Sequence, residues 1–374
     1  MSVSRSWKKR ESGIEALKII AIVLIVISHV AQTALEDPHV VQTIDLSHGT
    51  DNLQYLLLAI FFHFGRWGNI IFFVCSAWFL LSSDHFDKRK WFFMLFEIWT
   101  ISVLILAASF YFVKDVISAK DIVKSLFPTY FNNNWYLTCY LLFYPLHPVL
   151  NGVINRMDKT ALLRFSIALF CLYLVLPFVK GSFFGSKIIY WIAMYFAIAY
   201  CKTYLSRYTD SLSVNVAVMA VSFLCFIGSV VMMNALCRRF SFFTGQILHW
   251  NADNNPFLFV LAFSMLQVAR HMKFRNIAVN YISGLSMLIY ILHENLILRT
   301  YFRPQIINEI YARFGYDHIA GRVVCVALVL FVACVIVTAL YRAALQKQVK
   351  AAGNAVFSDL RRLWLAVEQK LVRI

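Results

Sequence analysis

The sequence predicts an all-α fold: a polytopic membrane bundle of about ten transmembrane helices with both termini in the cytoplasm. Three observations predict it. The chain is 60% hydrophobic and only 14% charged, against about 45–50% and about 25% in soluble domains. Its apolar residues fall into successive runs of the length that crosses hydrocarbon. Its basic residues concentrate in alternate connecting segments, the asymmetry that marks cytoplasmic loops.

The elements follow in order. Residues 1–13 are polar and basic (Arg5, Lys8, Lys9, Arg10), so the N-terminus is internal. Span one is 14–34; it carries Lys18 and His29 and no small-residue cleavage site, so it reads as a retained span rather than a signal peptide. The loop 35–52 holds Glu36, Asp37, Asp45 and Asp51 without Lys or Arg and is external. Span two, 54–82, is interrupted by FGRWG at 64–68. Lys88, Arg89 and Lys90 are internal, and span three is 91–113. An external segment ends in Asn132–Asn134, and span four is 135–154. Arg156, Lys159 and Arg164 are internal. Spans five and six are 163–179 and 187–201, followed by internal Lys202 and Arg207. Span seven is 212–236 and span eight 255–269, with Arg270, Lys273 and Arg275 inside. Span nine is 279–300 and span ten 320–341. The chain divides into a transmembrane domain, 1–341, and a basic cytoplasmic tail helix, 342–374, whose apolar positions suit the surface of anionic lipid.

The formal net charge of +16 does not point to nucleic acid, because the cations are scattered between spans rather than gathered in a stripe. The eight cysteines show no CxxC or CxxH spacing and read as small buried hydrophobes, not disulfides or metal ligands. GxSxG, Walker-type and HExxH motifs are absent, and the sequence carries no signal of oligomeric state.

Ionisable groups are expensive in hydrocarbon, so those inside spans are the candidate functional residues. In span one, Lys18 and His29 are eleven residues apart, about three turns, and so share a face roughly 16 Å apart along the axis; Glu15 lies one turn before Lys18. A neutral imidazole in a protected cavity is a good general base. The structural alternatives are snorkelling for Glu15 and Lys18 and a helix–helix hydrogen bond for His29. Arg66 sits between two glycines, which suggest a broken or closely approached helix, and its guanidinium needs an anion or carbonyl partner; the structural alternative is a salt bridge to Glu15 or another carboxylate. In span nine, Asn280, Ser283, Ser286, Tyr290 and His293 form a polar stripe with Glu294 beside it. Such a stripe lines a cavity or a helix seam, and the His–Glu pair favours the cavity. Trp135 and Tyr136 stand at an interface, as an aromatic belt or a sugar platform.

Four stretches in order, GIEALKIIAIVLIVISHV, FGRWGNIIFFVCSAWFLL, NNWYLTCYLLFYPLHPVLN and NYISGLSMLIYILHENLILR, resemble the acyltransferase 3 family of membrane acyltransferases, and within it the bacterial polysaccharide O-acetyltransferases. HWNADNNPFLF is similar to a further family segment. The departures are Lys18 where the family usually has Arg, Glu15 for Asp and Ala77 for Gly. The resemblance implies an O-acetyltransferase of the bacterial inner membrane. It would use acetyl-CoA as acyl donor, need no metal, and modify a hydroxyl of a surface polysaccharide or its lipid-linked precursor. It assigns His29, with Glu15 and Lys18, to catalysis. CoA phosphates would lie near Lys18, Lys88, Arg89 and Lys90. Arg66 would face the oxyanion or a phosphate, and Trp135, Tyr290, His293 and Glu294 would hold the substrates. The competing class is a glycan transporter or flippase, against which the lack of inverted repeats speaks. A purely structural subunit would leave the Lys18–His29 register unexplained.

Overall fold

The computed structural model describes residues 11–36, 51–113, 117–180, 187–243, 248, 255–315 and 318–371. Arg5 to Arg10, Asp37, Asp45 and most of HWNADNN lie outside them. Every regular element among the described residues is helical. In chain order they are α1 (Ser12–Glu36), α2 (Asp51–Leu80), α3 (Lys88–Val113), α4 (Ala119–Leu126), α5 (Trp135–Arg156) and α6 (Lys159–Phe170). A π-turn at Cys171–Val175 carries α6 on into Leu176–Lys180. Then come α7 (Lys187–Tyr204), α8 (Leu212–Arg239), α9 (Pro256–His271), α10 (Ile277–Ser283), α11 (Ser286–His293), α12 (Arg303–Phe314), α13 (Ile319–Ala344) and α14 (Gln346–Leu371).

Among the described residues, seven helices are long and apolar enough to cross a membrane: α1, α2, α3, α5, α6 with its continuation, α8 and α13. The three other spans expected from the sequence are shorter or broken. α7 has 18 residues and α9 has 16. The ninth is split into α10 and α11 at Gly284–Leu285, with a π-turn at Leu298–Phe302 beyond.

α1 is the hub. It packs against α2, α9, α10, α11, α12 and α13. Of the two readings of FGRWG, a broken helix or a closely approached one, the structure shows the second: α2 runs unbroken through it and the two glycines serve close approach. A Cβ on Gly68 would meet the Ala21 carbonyl oxygen at 2.4 Å, and one on Gly65 would meet Ser28 Oγ at 2.6 Å. Small residues let backbones close in where lipid supplies no hydrophobic drive between helices. Ser28 Oγ then donates to the Phe62 carbonyl at 2.6 Å, locking the pair.

α5 carries Pro145 and Pro148 inside the helix. Each proline lacks the N–H that would satisfy the carbonyl four residues earlier, and in a membrane that carbonyl needs another donor. The indole Nε1 of Trp91 supplies one to Leu141 at 2.8 Å, and His147 Nδ1 supplies the other to Tyr144 at 2.5 Å. One turn on, Asn151 donates to the carbonyls of Leu80 and Ser83 at 2.9 and 3.0 Å and so caps the end of α2. Tyr195 on α7 donates to Asn151 Oδ1 at 2.7 Å.

Two peripheral segments are tied in by polar contacts. Ser118 and Tyr301 each donate to Asp121 on α4 at 2.7 Å. Burial works against ionisation of Asp121, but these two bonds and nearby Lys124 and Lys120 outweigh it and hold the carboxyl below its usual range. The tail, expected on a lipid surface, docks its first half on α3. Gln346 donates to Glu97 at 2.8 Å, Arg89 to Asn354 at 2.9 Å, and the rings of Phe92 and Phe357 meet at 5.4 Å. Leu360, Leu363 and Trp364 further along remain exposed.

Candidate active site

The polar stripe of α10 and α11 runs alongside α1 and is joined to it at three levels. Ser12 Oγ donates to Asn280 Oδ1 at 2.8 Å, and Ser283 Oγ donates to Glu15 Oε2 at 2.5 Å. His29 Nδ1 lies 3.0 Å from His293 Nε2. The sequence alternatives of cavity and seam are therefore both realised: the serines make the seam, and the histidines make a site at its far end.

That site is a compact cluster. His29 Nδ1 is also 3.0 Å from Glu294 Oε1. Arg303 donates to Glu294 Oε1 at 2.6 Å, to the His293 carbonyl at 2.9 Å and to the His29 carbonyl at 3.2 Å. Arg299 reaches Glu294 Oε2 and the Asn133 carbonyl at 3.5 and 3.4 Å. Glu294 and Arg303 are both buried, as such a pair must be matched to be tolerated in hydrocarbon.

The hydrogen-bond network assigns the ring protons. His293 Nδ1 is 2.7 Å from the Ile289 carbonyl, which can only accept, so that nitrogen carries the hydrogen. In the neutral ring His293 Nε2 is then an acceptor. His29 Nδ1 faces two acceptors, His293 Nε2 and Glu294 Oε1, and must be protonated. The neutral His29 ring is left with its lone pair on Nε2. A carboxylate on one imidazole nitrogen, fixing the tautomer so that the other serves as base, is how catalytic histidines are commonly oriented.

His29, His293 and Glu294 also have the residue types of a metal site, with ligand atoms within 4.8 Å of one another. The donor chemistry favours protons over a cation there. Arg303 already neutralises Glu294, and each short contact pairs a hydrogen with a lone pair.

Aromatic rings wall the space beside the cluster. Tyr290 packs edge-on to His293 at 5.7 Å and to Tyr136 at 6.0 Å. Arg66 lies over the Trp135 ring at 5.6 Å and Lys187 at 3.4 Å. Between this wall and α1 is a chamber of ≈ 150 Å³ whose lining includes Ile25, Asn69, Tyr136, Ser286 and Tyr290. Asn69 Oδ1 and Ser286 Oγ are buried there without a hydrogen-bond partner among the described residues.

The other end of α1 opens into a polar cavity of ≈ 620 Å³ lined by Glu11, Glu15, Lys18, Trp78, Arg270 and Lys273, with Ile14, Phe79 and Ala269. Lys18 is 3.4 Å from Glu15. The Arg270 guanidinium sits 4.3 Å over Trp78, and Lys202 donates to the Trp78 carbonyl at 2.6 Å. The structure thus brings His29, His293, Glu294, Tyr290, Trp135 and Arg66 to one end of the bundle and Glu15 and Lys18 to the other. Lys88 and Arg89, expected at the Lys18 mouth, begin α3 and are not part of its lining; Arg89 is engaged with the tail. Arg270 and Lys273 stand at the mouth instead. They and Arg303 are the residues at the two ends of the candidate site that sequence reasoning did not single out.

Fold and site together define a polytopic membrane protein with a buried imidazole–carboxylate centre and a cationic mouth joined by one helix. A family model described as an acyltransferase domain matches residues 11–342, nearly the whole chain. The chain belongs to that acyltransferase 3 family, as the resemblance of its motifs implied, and is a membrane acyltransferase. No curated protein and no solved structure matches it.

Proposed function

We propose that this acyltransferase moves an acetyl group from acetyl-CoA to a hydroxyl of a cell-surface polysaccharide or its lipid-linked precursor, in a bacterial inner membrane. The observation that carries the reading is the His29 ring, fixed through Nδ1 by Glu294 and His293 so that Nε2 is the free base. The cationic mouth at the opposite end of the same helix suits a polyanionic nucleotide. The unpartnered Asn69 and Ser286 in the chamber between them suit the amides of a pantetheine arm.

In the proposed reaction the acceptor hydroxyl gives its proton to His29 Nε2 as its oxygen bonds to the thioester carbonyl carbon. The carbonyl electrons move onto oxygen, where the Arg66 charge opposes the build-up of negative charge. The carbonyl then re-forms, the carbon–sulfur bond breaks, and the proton passes from His29 to the CoA thiolate. The products are an acetyl ester and CoA thiol. Glu294, held by Arg303, stabilises the imidazolium that exists between the two proton transfers.

Purified protein in nanodiscs, given radiolabelled acetyl-CoA and the surface glycan of its host, is expected to form an alkali-labile ester on the glycan and release CoA. Thioester left intact, with glycan moved across the bilayer instead, would overturn the reading in favour of a transporter.

A further inference from the structure

A second cavity touches the catalytic cluster from the side. It has a volume of ≈ 580 Å³ and lies between α11, α12 and α13. Its walls are apolar except where they reach His293 and Arg303. On the other side its lining includes Ile306, Cys325, Val329 and Ala333, all exposed on the outside of the bundle. Cys325, Val329 and Ala333 recur every fourth residue, so they form one face of α13. α13 is the most hydropathic of the candidate spans and only 22% of its most apolar stretch is buried, so this face meets lipid. The cavity is therefore a side door from hydrocarbon to the imidazoles. Its size is that of a small-molecule site.

We propose that this side pocket holds the hydrocarbon chain of an amphiphilic acceptor, so that the hydroxyl to be acylated arrives on a lipid carrier. The proposal rests on the acyl-transfer reading above and narrows its acceptor. The polarity gradient matches such a molecule: an apolar channel for the chain, ending at a charged, hydrogen-bonding centre for the head. The position matches too. Val30, which helps line the pocket, directly follows His29 in α1. A donor acyl chain needs room next to His29 but no opening to lipid, because its thioester enters by the Lys18 mouth. An acceptor embedded in the bilayer needs that opening.

The test is photolabelling in nanodiscs with a long-chain alkyl glycoside carrying a diazirine in its chain. In the unmodified protein, adducts are expected to concentrate in residues 303–310 and 325–334. Ala333→Trp, which narrows the opening, is expected to lower their yield at least fivefold while acetyl-CoA binding is unchanged. Adducts spread evenly over other lipid-facing helices such as α8, or unaltered by Ala333→Trp, would overturn the proposal. A second arm uses a long-chain acyl-CoA with the same diazirine. Labelling of the pocket by that probe, suppressed by free CoA, would assign the space to the donor and also overturn it. The two readings fail separately: an unmodified protein that is labelled in the pocket but leaves the thioester intact would sink the acyl-transfer reading alone, and one that forms ester without labelling the pocket would sink only this proposal.

Discussion

The two ends of α1 carry the same kinds of group, cations and carboxylates, and hold them in opposite ways. At the His29 end Glu294 and Arg303 are 9% and 10% exposed, 2.6 Å apart, and cross-linked to two backbone carbonyls. At the Lys18 end Glu15 is buried against Ser283, but the cations are not: Lys273 is 67% exposed and pairs with Glu11, itself half in solvent. Coulomb attraction at 4 Å is about 1 kcal/mol in water and about 4 kcal/mol at an effective dielectric of 20. The buried end is thus a fixed electrostatic instrument, suited to aligning a proton transfer, and the open end an adaptable, salt-screened one, suited to catching a charged substrate. The difference teaches that the same residue types mean chemistry or capture according to how much water they keep.

Substitutions at the two ends sharpen that contrast. The largest effect is expected for His29→Ala, which should lower kcat by about 10²–10⁴-fold, the usual worth of a general base, and leave acetyl-CoA affinity unchanged by calorimetry. Next is Arg303→Ala, which removes the nearest cation from the buried Glu294 carboxylate. It should cost about 3–5 kcal/mol of stability, read as a lowered unfolding midpoint in detergent, with activity lost in parallel. Arg303→Lys, a point charge without the fork, should recover only part of both. Gly68→Ala, midway between the ends, forces a methyl against the Ala21 carbonyl and should cost about 1–3 kcal/mol. Gly228→Ala on α8, where nothing lies within 4 Å, should raise the unfolding midpoint slightly, since Ala is a better helix former than Gly by about 0.5–1 kcal/mol. At the open end, Lys273→Ala should raise the KM for acetyl-CoA by only a few fold, and that increment should vanish in high salt as surface ion pairs do. The smallest effect is expected from chelators: ester formation should persist in excess EDTA, and its loss would show that His29, His293 and Glu294 hold a metal ion.

Much of this site could be read from the sequence, for physical reasons that differ by residue. Lys18 and His29 lie on one unbroken helix, so their register followed from the helical period. The stripe from Asn280 to His293 was legible because polar residues recurred at helical spacing on an apolar background, and Ser12, Glu15 and His29 meet it in turn. Arg303 was not legible. It lies beyond the π-turn at Leu298–Phe302, which shifts the helical phase, in a segment whose polarity reads as an external loop. Arg270 and Lys273 read as topology signals; the packing of α9 on α1 and α2, with Ser12 N donating to the Phe274 carbonyl at 2.9 Å, brings the end of α9 to the mouth. Lys88 and Arg89 were placed there for want of that long-range information. The glycines of FGRWG showed that something unusual happens in α2, but close approach and a break look alike until the neighbouring helix is in view.

The central claim is that the His29 ring presents an unprotonated Nε2 because Glu294 and His293 hold its Nδ1 hydrogen. Solid-state nitrogen NMR of the protein labelled at its ten histidines, with the His29→Ala spectrum subtracted, tests it directly. The account predicts for His29 a protonated Nδ1 and a bare Nε2 at neutral pH. A His29 signal with the hydrogen on Nε2 and a bare Nδ1 would contradict it.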